Sequence, residues 1–219
     1  SSHFGSKESK SAAPAGRAPL LTAAVPVASA PMISSTPREI TPPPTKDPTI
    51  MNPAASASHK AERFYGAARL CTPGAVVKFQ DGSVWEEHQL YAKAIELYPE
   101  FAAAYNNLGL SVQEGETVKI GSARHDSKLL FVRAIEVDHT FVPAYVNLAG
   151  TLAAEDRVLV NSCSRDRSSL LLQAIQIDPR CAEAYMNLGL TMSPDDTAQL
   201  PNGAEVSRDS LLAMARKMD

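Results

Sequence analysis

The sequence predicts an all-α fold, an α-solenoid of about four helix pairs. A short β-hairpin lies in the turn inside each pair, and a disordered or extended Pro/Ala/Ser-rich arm precedes the array. Three observations carry this expectation. Tyr65, Tyr105, Tyr145 and Tyr185 recur at intervals of 40. Ala94, Ala134 and Ala174 repeat at the same interval, each inside a helically spaced apolar pattern such as Leu90, Ala94, Leu97. Inside every interval a short stretch alternates apolar and polar residues, as a half-buried strand does.

The arm, residues 1–57, comes first. Ten of the 16 prolines fall there, among Ser, Ala and Thr. Such a segment buries too little apolar surface to offset chain entropy. Thr36 and Thr41 sit in proline-rich runs that could accept phosphate, and the apolar stretch "LLTAAVPVASAPM" raises the further option of a strap along the array.

The formal net charge is −3, positive in the arm and negative beyond it. That balance offers no electrostatic footprint for nucleic acid or an anionic membrane. No apolar run reaches membrane-spanning length, so membrane insertion is not expected. Cys71, Cys163 and Cys181 have no metal-like spacing and suggest a reducing compartment, the cytoplasm. A Ser- and Ala-rich, acid-poor arm keeps a mitochondrial destination open.

The array follows over residues 58–219, in units of about 58–99, 100–139, 140–179 and 180–219. First helices read "AAAYNNLGL", "VPAYVNLAG" and "AEAYMNLGL"; second helices close on "KAIELYPEF", "RAIEVDHTF" and "QAIQIDPRC". Pro99 and Pro179 stand just beyond second helices, where proline is tolerated, and His139 takes that place between them.

These motifs resemble the tetratricopeptide repeat (TPR) family. Tyr105, Leu108 and Gly109, and Tyr185, Leu188 and Gly189, match its aromatic–x–x–Leu–Gly signature. Tyr145 and Leu148 match with Ala149 in the glycine place, and Ala94, Ala134 and Ala174 take its small position. The period departs from the family, whose unit is about 34 residues. Each Ala-to-Tyr step is 11 residues, as in the family, whereas Tyr to Ala takes 29 in the first three units and 30 in the last. The extra residues therefore lie in the turn between the two helices.

That turn reads "VVKFQDGSVW", "TVKIGSAR", "RVLVNSCS" and "TAQLPNGAEV". Val77 and Phe79, Val118 and Ile120, Val158 and Val160, and Ala198 and Leu200 alternate with polar or exposed-type neighbours. Asp81-Gly82 and Asn202-Gly203 are expected to form tight turns with both central residues at positive φ, and Gly121-Ser122 and Asn161-Ser162 carry a weaker form of the pattern. Successive hairpins are expected to stack along one edge as a ledge. Residues Val77, Phe79, Val118, Ile120, Val158 and Val160 would build it. The longer fourth unit implies a different turn there.

Candidate sites are few. Asn107, Asn147 and Asn187 hold equivalent places on three first helices, and Ala67 takes that place in the first unit. The resemblance implies an asparagine ladder that grips the backbone of an extended peptide, because an amide both donates and accepts. A clamp for a terminal carboxylate would need Lys or Arg on these helices, and they carry none. The four repeat tyrosines read as core, and Trp85 as packing where a hairpin meets its helix. His88, His125 and His139 read as surface residues. Asp195 and Asp196 lack the loop of a calcium site. No spacing supports a metal, a cofactor or an enzyme.

The functional expectation is a non-catalytic scaffold that binds a peptide or protein through its groove. Two alternatives stand beside it, a structural subunit of a large multiprotein assembly and the non-catalytic region of a larger enzyme. The start at Ser1, and a last helix whose Leu211, Leu212 and Ala215 await cover, suggest a segment of a longer protein.

Overall fold

A computed structural model describes residues 53–72 and 75–218. The expectations for residues 1–52, including the strap and the phosphate sites at Thr36 and Thr41, lie outside the described residues. Four helix–hairpin–helix units follow one another. The first holds α1 (Pro53–Arg69), β1 (Val76–Lys78), β2 (Val84–Glu86) and α2 (Glu87–Leu97); the second α3 (Ala102–Ser111), β3 (Val118–Ile120), β4 (Ala123–His125) and α4 (Ser127–Val137). The third holds α5 (Val142–Thr151), β5 (Val158–Val160), β6 (Cys163–Arg165) and α6 (Arg167–Ile177); the fourth α7 (Ala182–Thr191), β7 (Thr197–Gln199), β8 (Glu205–Ser207) and α8 (Arg208–Met218). Helix α1 begins at Pro53. Proline suits a first helical position, where the backbone N–H would have no helical partner. No described helix is long and apolar enough to cross a membrane.

Short local signals place the second helices. Asp126 Oδ1 accepts from the Leu129 N–H at 2.8 Å. Asp166 and Ser169 form a reciprocal capping box, with the Ser169 N–H on Asp166 Oδ1 at 2.8 Å and the Asp166 N–H on Ser169 Oγ at 2.9 Å. Each cap satisfies donors that the first helical turn leaves open. At the far end, Asp138 Oδ1 accepts from the Thr140 N–H and Asp178 Oδ1 from the Arg180 N–H, both at 2.9 Å. These Asx turns swing the chain into the next first helix. Tyr145 Oη then donates to the His139 carbonyl at 3.0 Å, and Tyr185 Oη to that of Pro179 at 3.2 Å. In the third and fourth units the repeat tyrosine thus ties its own helix to the turn before it.

Each helix packs on its sequence neighbours, α1 on α2, α2 on α3 and so on to α8, and α5 also touches α3 and α7. Leu90, Leu108, Leu130, Leu148, Leu170, Leu188 and Leu211 form the buried spine, with Ala94, Ala134, Ala174 and Ala215 wholly buried at the closest approaches. Leu211 and Ala215 are therefore covered by their own unit, contrary to the expectation of an open face. At the places of Ile95, Ile135 and Ile175, the last helix instead has exposed Arg216.

The glycine of the signature has a steric cause. A Cβ on Gly109 would lie 2.7 Å from Phe131 Cε1, and one on Gly189 would lie 3.0 Å from Leu212 Cδ2. In the third unit the two places hold Ala149 and Leu171, one Cβ gained and an aromatic ring lost.

The four hairpins form as expected, but as four separate two-stranded antiparallel sheets with no strand pairing between them. Shielding comes from helices: β3 packs on α2 and β5 on α4, the second helix of the preceding unit in each case. Turn types reverse the expectation. Two-residue turns join the strands in the second and third units, where Asn161 (φ 49°) and Ser162 (φ 65°) both take left-handed backbone. The Asp-Gly and Asn-Gly units have three-residue loops ending in left-handed Gly82 (φ 84°) and Gly203 (φ 86°). The Phe79 N–H donates to the Ser83 carbonyl at 2.8 Å and the Gly82 N–H to that of Phe79 at 3.0 Å; Leu200, Ala204 and Gly203 repeat this pattern. Pro201 explains it in the fourth unit. Its φ is fixed near −65°, which suits the first central place of a type I turn and forbids the mirror-image turn. Asp81 Oδ1 and Asn202 Oδ1 accept from the N–H two residues on, at 2.8 and 3.0 Å.

Gly109→Ala separates steric from propensity effects. Alanine favours a helix over glycine by about 1 kcal/mol, whereas overpacking costs roughly 1–3 kcal/mol. Phe131 is buried and its ring cannot swing clear, so the expected outcome is a net loss in urea unfolding. Adding Phe131→Leu, the third unit's own pairing, should recover much of that loss.

Candidate functional site

The asparagines of the first helices do not stand as three independent rungs. Asn107 Nδ2 donates to Tyr65 Oη at 3.1 Å. Asn106 Nδ2 donates to Asn107 Oδ1 at 3.2 Å, and Asn147 Nδ2 donates to Asn106 Oδ1 at 2.8 Å. A continuous polar run therefore crosses from α1 through α3 to α5. Asn106, which sequence reasoning passed over, is its centre and is 3% exposed. Its signal was present in the repeat, because Val146 and Met186 fill the same place in the next two units.

The run stops at Asn147. Asn187 is 7% exposed, and Val146 stands where Asn106 would have to accept from it. Asn107 and Asn147 are half-exposed, so the structure brings these two together and leaves Asn187 apart. An amide has two N–H groups and an oxygen with two lone pairs. The Asn147 oxygen and its second N–H thus have capacity beyond the bonds of the run, whereas both Asn107 N–H groups are turned to tyrosine hydroxyls, those of Tyr65 and Tyr91.

Aromatic rings buttress its first end. Tyr65 lies 4.6 Å from Phe101 and 5.7 Å from Tyr91 between ring centroids, and the Arg69 guanidinium sits 5.9 Å from the Tyr65 ring. Burial raises the Tyr65 phenol above its usual range, against the opposing effects of Arg69 and of the Asn107 hydrogen bond. Tyr91 is raised further, by burial and then by the Glu87 carboxylate. Both hydroxyls stay protonated at neutral pH, as neutral hydrogen-bonding partners of the amide.

The expected ledge residues turn inward. Val77 and Val160 are buried, and Phe79, Val118, Ile120 and Val158 are half-buried. Phe64 of α1 takes Phe79 at 5.4 Å and Trp85 at 5.8 Å, so Trp85 packs where the first hairpin meets a helix. The outward apolar residues of the hairpins are Val76, Val84 (56% exposed) and Leu159 (67% exposed). They, not the six inward residues, are available to a partner.

The histidines divide. His88 Nδ1 lies 3.4 Å from a Glu86 oxygen, and His139 is exposed. His125, expected at the surface, is half-buried opposite Val118 with its Nδ1 enclosed and without a partner among the described residues. It occupies the repeat place of Trp85, which faces Val77. Among the described residues no three His, Cys, Asp or Glu side chains form a group that could hold a metal ion. Helices α3, α5 and α7 carry no Lys or Arg. The cysteines are free thiols, with Cys163 exposed and Cys71 pushed up to about 11 by burial and by Glu87.

Compared with known proteins, the chain matches no family model and no curated protein sequence.

Asn106→Val tests the polar run by importing the third unit's residue. It strips Asn147 Nδ2 of its acceptor and Asn107 Oδ1 of its donor. The expected cost is roughly 1–3 kcal/mol in denaturant unfolding. A fully stable variant would reduce the run to incidental contacts.

Proposed function

We propose that the chain is a TPR-like α-solenoid serving as a non-catalytic protein-interaction scaffold, and that an extended segment of a partner lies across its first helices. One observation carries the reading: Asn107 and Asn147, in equivalent places on touching helices, are partly exposed, and the Asn147 amide has hydrogen-bonding capacity to spare. Amides at a fixed spacing can meet the N–H and C=O groups of any extended main chain, so affinity comes from backbone bonds and selectivity from neighbouring pockets. Small residues beside them, Ala103 and Pro143, leave room for close approach. The run through Asn106 supports the reading by fixing amide orientation before a ligand arrives, which lowers the entropy lost on binding.

The test is capture of peptides from a random displayed library by the full chain, followed by replacement of Asn107, Asn147 and Asn187 with Ala. The affinity of a captured peptide should fall roughly tenfold or more while helical circular dichroism persists. Unchanged affinity removes the asparagines from the mechanism, and a library that yields no binder removes the scaffold reading.

A second reading draws on the outward apolar residues Leu70, Val76, Val84 and Leu159. Exposed apolar edges of hairpins suit a subunit held permanently in a larger assembly. Light scattering separates the two readings. A monodisperse monomer favours the scaffold, and concentration-dependent association favours the embedded subunit.

A further inference from the structure

A cavity of about 380 Å³ opens between α2, the end of α3 and the second hairpin. That is within the span of ligand pockets, about 300–1,000 Å³. Ala92 and Val112 form part of its wall together with Val118, and Glu116, Lys119 and Arg124 bring charge to it.

The repeat explains why space is left here. One unit later, the place of Ala92 holds Val132 and that of Val112 holds Leu152; another unit on, the same places hold Leu172 and Met192. Side-chain volume grows along the chain at the first place, and at the second it grows from Val112 to Leu152 and is then held at Met192. The next groove is also bridged by charge, Lys128 Nζ to Asp156 Oδ2 at 3.3 Å. At the equivalent places the first groove has His88, turned to Glu86, and Glu116, so no such bridge spans it.

The charge on the hairpin is unusual in its own right. Lys119 and Arg124 are directly opposite each other across the two strands. Like charges in that relation repel and destabilise a two-stranded sheet. The corresponding pair one unit later is Leu159 and Ser164, both uncharged. Arg124 Nη1 donates to the neutral Thr117 hydroxyl at 3.2 Å, and Lys119 Nζ has no hydrogen bond or ion pair among the described residues. Glu96 is engaged by Lys93 at 3.0 Å and by the Gly121 N–H at 3.2 Å. Glu116 is the one carboxylate in the lining, set against two cations in a chain whose net charge is −3.

We propose that this cavity docks an acidic segment of a partner protein. A side-chain carboxylate sits between the Lys119 ammonium and the Arg124 guanidinium, and an adjacent apolar side chain fills the space over Ala92, Val112 and Val118. The carboxylate relieves the cross-strand repulsion, and the planar Arg124 fork has donors to spare for it. The apolar contact supplies what Leu152 and Met192 supply internally in later units. Glu116 at the rim disfavours a second carboxylate beside the first, which selects an acidic residue flanked by apolar ones over a run of acids. The inference rests on the scaffold reading and names the partner's chemistry at a second contact, away from the asparagines.

The experiment is fluorescence anisotropy of the full chain with three labelled hexapeptides. The first two have blocked ends and alternate leucine with glutamate or with lysine. The third alternates leucine with glutamine and has a free C-terminal carboxylate. The glutamate peptide should bind best, and more weakly as salt is raised. Two variants should each weaken it roughly tenfold or more: Lys119→Glu with Arg124→Glu, which reverses exposed charge, and Ala92→Val with Val112→Leu, which transplants the next groove's filling. Preference for the lysine peptide, or equal binding of the glutamine peptide through its chain end, would overturn the proposal. So would glutamate-peptide affinity indifferent to both variants. If that affinity instead falls on replacing the three asparagines, the scaffold reading survives and the cavity does not.

Discussion

Burial of each helix against the next in sequence is the constraint on which the rest depends. A pair such as α3 and α4 has apolar faces on two sides, and Leu108 and Leu130 reach full burial by being enclosed from both. The second helix of one unit must therefore approach the first helix of the next closely. Wholly buried Ala94, Ala134 and Ala174 permit that approach. Gly109 and Gly189 go further, giving up a Cβ so that Phe131 and Leu212 can enter. Packing at this density leaves no slack for an added methyl group, which is why Ala149 is matched by the slimmer Leu171.

The hairpins depend on the same stack. Three-residue strands in isolated pairs are marginal in water. They persist because each packs on a helix, and in the first, third and fourth the packed face includes residues below a tenth exposed, Val77, Val160, Leu200 and Val206. Their turns need different chemistry according to loop length. Asn161-Ser162 closes a tight turn through left-handed backbone at both residues, whereas Gln80-Asp81-Gly82 and Pro201-Asn202-Gly203 use a type I turn and a bulge glycine. The additional loop residue also accounts for the longer fourth unit. The first unit has the same loop and makes up the difference before β1, with 12 residues from Tyr65 to Val77 against 13 from Tyr105 to Val118.

Polar groups are concentrated towards the first two units. The run from Tyr65 to Asn147, the enclosed His125 nitrogen and the open cavity beside Lys119 and Arg124 all lie in or next to them. The later units replace these features with Val146, Leu152, Leu172 and Met192. Recognition in the proposed scaffold is thus concentrated at one end, with the other end supplying apolar support.

Period, helix positions and hairpin positions were determined by the sequence alone. Each of these is a local pattern: a spacing of three or four, an alternation of two, a cap such as Asp166 with Ser169, or a stop such as Pro179. What stands opposite a residue was decided by tertiary structure. Nothing in the three-fold recurrence of asparagine reveals that Asn147 spends a donor on Asn106 while Asn187, with Val146 at the repeat place of Asn106, has no such acceptor. Nor does Asp-Gly by itself disclose a loop of three. The outward exposure of Leu159 and the space beside Ala92 likewise depend on groups that lie tens of residues away or across a strand. Residue types and spacings record the geometry of a single element, whereas pairing, burial and empty volume arise between elements, where the physical partner is a distant part of the chain.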